Sequence, residues 1–291
     1  MVRFCNMVES RILLMGSPVF SLRAFERILD RYPNQVVGVF SQPDRPKGRS
    51  KELQPTPVSS WAAAKGLPVW TPETKSEVAA QIQTIQPTII VVIAYGMILP
   101  KIITDSFYCI NVHGSLLPQY RGPSPIHSAI LNQDSETGVT LIRLNERMDA
   151  GDIIGVAKCE VTANDTFAAV HDRLSELGAQ ACLDCVDGLI KTGTVRQVPQ
   201  IEADASYCAK IGPEDSIINR GQTPAQTLAR IKAFSPIPGA AVIQDGKRIK
   251  VLDATLAADG NLEIVSVKPE GKNAMSYADY LRGYPEGITL C

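Results

Sequence analysis

Four short apolar or β-branched runs punctuate the first part of the chain: RILLMG (Arg11 to Gly16), QVVGVF (Gln35 to Phe40), TIIVVIA (Thr88 to Ala94) and CINV (Cys109 to Val112). Continuous rather than alternating hydrophobicity over so few residues suits strands buried on both faces. Between them apolar residues recur at helical spacing, Phe20, Ala24 and Ile28 in one segment and Val78, Ile82 and Ile85 in another. Strands alternating with helices predict right-handed crossovers and an α/β, Rossmann-like domain with a mostly parallel sheet.

Gly138 to Leu144 (GVTLIRL) and Asp152 to Val161 read as two further strands. Asp165 or Thr166 can cap the next helix, whose Val170, Leu174, Leu177, Ala181 and Cys185 share one face. The period is then lost, which divides the chain into a first domain (1–192), a linker (193–207) and a second domain (208–291). In the latter, Thr223-Pro224 makes an N-cap and N1 pair for a helix through Phe234, stopped by Pro236 and Pro238. Alternation in Ala241 to Gln244, an Asp245-Gly246 turn, and the runs Arg248 to Leu252 and Leu262 to Val267 predict a small antiparallel sheet or barrel.

Composition sharpens this picture in a few places. A length of 291 residues fits two domains, and 45% hydrophobic with 20% charged residues is an ordinary globular balance. The longest apolar run, Thr88 to Ala94, is far shorter than the roughly 20 residues a membrane helix needs. The opening MVRFCNMVES has neither the apolar core of a secretory signal nor an Arg-rich bias, and Met7 is an alternative start. Seven scattered cysteines fit a reducing compartment and hence the cytoplasm. Cys182 and Cys185 form a C-x-x-C without a second pair, so they read as small buried helix residues rather than metal ligands. The net charge of -1 advertises no nucleic-acid partner globally. A nicotinamide dehydrogenase is excluded by the turn after the first strand, Gly16-Ser17-Pro18-Val19-Phe20-Ser21, which lacks G-x-G-x-x-G.

Ligands of open α/β sheets bind beyond the carboxyl ends of the strands. The strand Cys109 to Val112 runs into such a loop, NVHGSLLPQYRG (Asn111 to Gly122), which delivers Asn111, His113 and Ser115 at alternate positions, able to project from one side of an extended chain. A second element, MDAGD (Met148 to Asp152), is a glycine-containing turn that carries Asp149 between two strands. A lone histidine at a strand end, or an aspartate in a turn, is ordinarily structural. An amide, an imidazole and a carboxylate brought to one end of the sheet can bind and transfer protons.

Asn111, the run His113-Gly114-Ser115-Leu116-Leu117-Pro118, the Arg121-Gly122 pair and Asp149 within M-D-A-G-D together resemble the folate-dependent formyltransferases. The resemblance extends from the first strand to SYADYLRG near the end and is strongest to the branch whose acceptor is initiator methionyl-tRNA. It implies a formyltransferase domain followed by a small OB-like β-barrel, and transfer of the formyl group of 10-formyltetrahydrofolate to the α-amino group of methionine on that tRNA. By the same resemblance Asn111 and His113 would be oxyanion donors, and Asp149 would hold the imidazole and relay a proton. Ser115, Leu116, Leu117 and Pro118 would contact folate, and the backbone of Ile93, Ala94, Tyr95 and Gly96 would line the pterin pocket. No metal is implied, and the protein would act as a monomer.

The loop SQPDRPKGRSKEL (Ser41 to Leu53) has four cations in seven residues, Arg45, Lys47, Arg49 and Lys51. Such a run is usually a solvated loop, but the resemblance implies entry into the tRNA acceptor stem, with Arg45 and Arg49 foremost. From Tyr207 onward ten Lys or Arg stand against nine Asp or Glu, so only a local stripe from Arg230, Lys232, Lys247, Arg248 and Lys250 could add to it. Val19 stands where the family usually has an acid, Ile218-Asn219 replaces a frequent Ile-Asp-Trp, and the second domain is short. Two alternatives stay open: a UDP-amino-sugar formyltransferase, which the basic loop argues against, and a formyltetrahydrofolate hydrolase, which needs no tRNA-binding domain.

Overall fold

A computed structural model of the chain describes residues 10–47 and 52–290. Met7, Arg49 and Lys51 lie outside the described residues. The elements run β1 (Ile12–Gly16), α1 (Leu22–Arg31), β2 (Val36–Phe40), β3 (Arg45–Lys47), β4 (Glu52–Gln54), α2 (Pro57–Ala64), β5 (Val69–Trp70), α3 (Lys75–Ile85), β6 (Ile89–Ile93), α4 (Lys101–Ser106), β7 (Tyr108–His113), α5 (Pro125–Leu131), β8 (Glu136–Arg143), β9 (Ile153–Glu160) and α6 (Phe167–Thr192). There follow α7 (Pro224–Ala233), β10 (Ala241–Gln244), β11 (Lys247–Leu256), β12 (Leu262–Pro269), β13 (Met275–Ser276) and α8 (Tyr277–Gly283). Two compact units result. One comprises Met1–Arg121, Gly138–Lys158 and Arg173–Ser206; the other comprises Gly122–Thr137, Cys159–Asp172 and Tyr207–Cys291.

The first unit is built on a seven-stranded sheet of order β5-β2-β1-β6-β7-β8-β9. The pairs β1–β2, β1–β6, β2–β5 and β6–β7 are parallel, whereas β8 pairs antiparallel with β7. The chain leaves β1 toward β2 and β5, then crosses over to β6, so a topological switch point lies between β1 and β6. Every residue of β1 and β6 is buried, which is why these runs show no polar alternation.

Helix α1 buries Ala24, Phe25 and Ile28, while the expected Phe20 sits in a preceding 3-10 turn, Val19–Ser21. Thr56 and Thr74 cap α2 and α3 through bonds to the Ser59 and Glu77 amides at 3.0 and 3.2 Å. The expected cap of α6 is Thr166, which accepts from the Ala169 amide at 3.2 Å. Along α6 the buried stripe includes Val170, Leu174, Cys182 and Cys185, with Leu177 and Ala181 only half-buried. The face is centred on Gly178, where an added Cβ would lie 3.1 Å from Val112 Cγ1. A mid-helix glycine costs about 1 kcal/mol against alanine; here it lets α6 lie directly on β7. Cys182 and Cys185 are the buried helix residues the sequence suggested, and burial pushes the Cys185 thiol up to about 12 and the Cys182 thiol further in the same direction.

The stretch expected to be a linker belongs with the first unit. Val198 and Ile153 exchange backbone hydrogen bonds of 2.8 and 2.9 Å, adding an antiparallel bridge beside β9. The short elements β3, β4, α2, β5, α4 and α5 had no counterpart in the hydrophobic pattern, because each is too brief to repeat a period.

In the second unit β10-β11-β12-β13 form a four-stranded antiparallel sheet. The Asp245-Gly246 turn joins β10 to β11 with φ of 51° and 72°, the left-handed pair a tight hairpin requires. Helix α7 starts on a Thr223/Gln226 capping box and buries Leu228, Ala229 and Ile231, with its C-cap residue Phe234 buried as well. No helix among the described residues is long and apolar enough to cross a membrane.

In this unit the His127 ring stacks on Phe167 at 4.1 Å and tilts against Phe234 at 5.6 Å. Burial lowers its pKa from 6.5 to about 4. The unfolded chain therefore takes up this proton more readily than the folded one, so the associated stability is complete above pH 6.5 and is lost as pH falls toward 4. Thermal melts of the wild type and His127→Phe between pH 7 and 4 should show a steeper fall for the wild type; parallel curves would contradict this role.

Candidate active site

Strand β7 positions the first two residues. It lies between β6 and β8, with Asn111 opposite Val92 on one side and Ile142 on the other, and His113 opposite Thr140. Val112 points toward α6, so alternation places Asn111 and His113 on the other face. Asn111 is half-buried and His113 is 6% exposed.

The strand ends at His113, and there the alternation stops. Ser115 does not continue the row: it is fully buried and its hydroxyl donates to the Gln119 carbonyl at 2.6 Å. The buried Thr140 hydroxyl donates to the Ser115 carbonyl at 2.7 Å and accepts from the Leu117 amide at 3.0 Å. Ser206 holds the far end, accepting from the Tyr120 amide through its hydroxyl and from the Arg121 amide through its carbonyl, both at 2.9 Å. Tyr120 itself lies in the left-handed region with φ of 57°. These bonds fix the Tyr120 carbonyl against His113, whose Nε2 lies 2.9 Å from it.

Asp149 arrives from the connection between β8 and β9. Its φ of 52° is one of the few left-handed conformations an aspartate tolerates. The turn is crowded: a Cβ added to Gly151 would stand 1.8 Å from the Arg143 carbonyl oxygen. Asn145 braces the turn, donating to the Ala150 carbonyl at 3.3 Å and accepting from the Arg147 amide at 2.9 Å. The outcome is a carboxylate oxygen 3.6 Å from His113 Nδ1, with the Asp149 side chain 15% exposed.

Proton placement follows from these contacts. A carbonyl only accepts, so Nε2 of His113 carries a hydrogen toward Tyr120, and Nδ1 faces a carboxylate. The pairing with Asp149 is attractive when Nδ1 is protonated as well, which makes the dyad a place where a proton taken from a reactant can rest. Asn111, two residues earlier on the same face, lies about 6.6 Å along the strand.

Around β6, Ile93 and Tyr95 are buried and Ala94 and Gly96 exposed, the latter two with φ of 49° and 88°. The Ile93 carbonyl accepts from Ser21 at 2.8 Å and the Tyr95 carbonyl from Ser17 at 3.3 Å, so within this turn Ala94 and Gly96 are the accessible members. Burial raises the Tyr95 hydroxyl to about 12. In the second loop Leu117 is buried, while Leu116 and Pro118 are half-buried.

Of the basic segment, β3 and β4 pair as a two-stranded ribbon with Arg45 opposite Gln54, and Arg45 is exposed. The stripe suggested for the second unit does not form. Lys232 is 6% exposed with Nζ 2.8 Å from Asp253, and Arg230 donates to the Asp215 carbonyl. Arg248 donates to the Ser216 hydroxyl at 2.9 Å and Lys250 to the Pro238 carbonyl at 2.5 Å, which leaves Lys247 as the exposed member of the five. Lys232 is paired with a carboxylate, while Arg230, Arg248 and Lys250, each half-buried, donate to neutral oxygens.

The formyl transferase family profile matches residues 11–186, the segment that contains β1 through most of α6. The chain belongs to the formyl transferase family. The methionyl-tRNA formyltransferase of Moorella thermoacetica is 37% identical over 94% of this chain and 96% of its own length, and that of Pseudoalteromonas translucida is 34% identical over 96% and 95%. Among solved structures, WlaRD, a sugar 3N-formyl transferase crystallised with dTDP and 5-N-formyl-THF, superposes with a TM-score of 0.67 at 20% identity, covering 92% of this chain and all of that one. The last likeness concerns the fold alone.

Sequence reasoning missed Thr140 and Ser206, the two side chains that shape this formyl transferase's His113 loop. Thr140 had a signal, a polar residue inside the apolar run GVTLIRL; Ser206 had none. The crowding at Gly151 yields a test: Gly151→Ala should destabilise the fold by about 1–3 kcal/mol, because backbone rather than a flexible side chain must move. Chemical denaturation reads the change, and unaltered stability would show that the turn is looser than described.

Proposed function

We propose that this formyl transferase moves the formyl group of 10-formyltetrahydrofolate to the α-amino group of methionine on initiator methionyl-tRNA, as a cytoplasmic monomer. The observation that carries the chemistry is the His113–Asp149 pair, 3.6 Å apart and nearly enclosed, beside Asn111 on the same face of β7. The acceptor is supported by the two methionyl-tRNA formyltransferase relatives, which align over nearly the whole chain.

Attack of an amine on a formyl carbon puts negative charge on the formyl oxygen, and each positioned donor there is worth about 2.7–4 kcal/mol. Asn111 donates through its amide. His113 donates by exchanging its bond to the Tyr120 carbonyl for one to the formyl oxygen. The new carbon–nitrogen bond leaves the amine with a surplus proton; Asp149 and the imidazole receive it and return it to the departing folate nitrogen. Exposed Ala94 and Gly96 and the half-buried Leu116 and Pro118 offer backbone polar groups and apolar surface suited to a flat pterin, while buried Ile93, Tyr95, Ser115 and Leu117 hold that surface in shape.

Arg45 on the exposed ribbon, with Lys47, Arg49 and Lys51 in the same segment, supplies phosphate contacts to the tRNA acceptor stem. The antiparallel sheet of the second unit is read as part of an OB-like barrel that meets the body of the tRNA.

Purified protein given 10-formyltetrahydrofolate with methionyl-tRNA or a UDP-amino sugar should formylate only the former. Formylation of the sugar alone, or hydrolysis without an acceptor, would overturn the assignment. His113→Ala and Asp149→Asn should each lower turnover by about 10²–10⁴ with tRNA binding intact. Arg45→Ala should weaken tRNA binding and flatten its salt dependence.

A further inference from the structure

Asp149 occupies an uncommon backbone conformation, and a second side chain holds it there. Gln200, in the stretch beside β9, donates both hydrogens of its amide, to the Asp149 carbonyl and to the Gly151 carbonyl, each at 2.8 Å. Its oxygen accepts from Arg121 Nε at 3.0 Å and Nη2 at 2.9 Å. The carboxamide thus uses both donors and both lone pairs. Its orientation is unambiguous, since a flip would set the oxygen against two carbonyls and the NH2 against a guanidinium.

Arg121 is fixed in turn. Its side chain is 1% exposed and forks onto Glu202, with Nη1 and Nη2 at 3.0 and 3.1 Å from the two carboxylate oxygens. The guanidinium belongs to the loop that begins at His113, whereas the two carbonyls belong to the turn that bears Asp149. Gln200 is therefore the bridge between the two segments whose side chains meet at 3.6 Å.

We propose that Gln200 is a positioning residue: by clamping the carbonyls on either side of Ala150 to Arg121, it sets the Asp149 carboxylate at the distance from His113 that proton transfer needs. This rests on the reading of Asp149 as the proton-handling acid. A displacement of about 1 Å at such a group can cost on the order of 10²-fold in rate.

The test is a double-mutant cycle in the full-length protein, with turnover of 10-formyltetrahydrofolate and methionyl-tRNA as the readout. Gln200→Glu keeps the contact with Arg121 and removes both donors to the turn. It should lower kcat about 10²-fold with KM for either substrate changed by less than about threefold. Combined with Asp149→Asn, it should cost nothing further, since the clamp acts only through that carboxylate. Additive losses, a change confined to KM, or full activity in Gln200→Glu would each overturn the clamp. If Asp149→Asn alone stays fully active, it is the reading of Asp149 that fails, a result separable from the other three. Should Gln200→Glu not fold, as judged by circular dichroism, Gln200→Met removes the bonds to the turn, together with those from Arg121, without adding charge and is judged by the same criteria.

Discussion

The site depends on a contact between two residues with no local reason to meet, the imidazole of His113 at the end of β7 and the carboxylate of Asp149 in the turn after β8. Neither segment is free to adjust. Sliding β7 by one residue against β8 would turn His113 into the face that packs on α6, and that face is occupied by Val112 against Gly178. Asp149 is fixed from the other direction, by a turn with no room for a side chain at Gly151. A pair separated by 3.6 Å in a nearly closed environment is sensitive to small shifts, so the hydrogen bonds of Thr140, Ser206, Asn145 and Gln200 bear directly on its geometry.

Charge is distributed with equal economy. The net charge of -1 offers no general attraction for a polyanion, and four cations of the second unit, Arg230, Lys232, Arg248 and Lys250, are committed to internal acceptors. Lys232 shows why: once buried, an ammonium needs a carboxylate beside it, and Asp253 supplies one at 2.8 Å. Positive charge available for phosphate is left to exposed positions such as Arg45 on the β3–β4 ribbon.

Residue order alone determined the long elements and singled out the candidate site residues. The buried strands declared themselves as continuous apolar runs, α6 and α7 through their periods and threonine caps, and Asn111, His113 and Asp149 through polar groups set at the ends of strands. What was not legible involves contact between distant segments. The unpatterned stretch after α6 read as a linker, yet Gln200 and Ser206 within it brace the site; a glutamine or serine in a loop has no signature until its partners are known. The cations at 230, 232, 248 and 250 looked like a surface stripe because sequence does not show which side chains turn inward. Tertiary packing decided those points, since a hydrogen bond's partner is set by where the sheet brings carbonyls and carboxylates, whereas burial periodicity is written residue by residue along the chain.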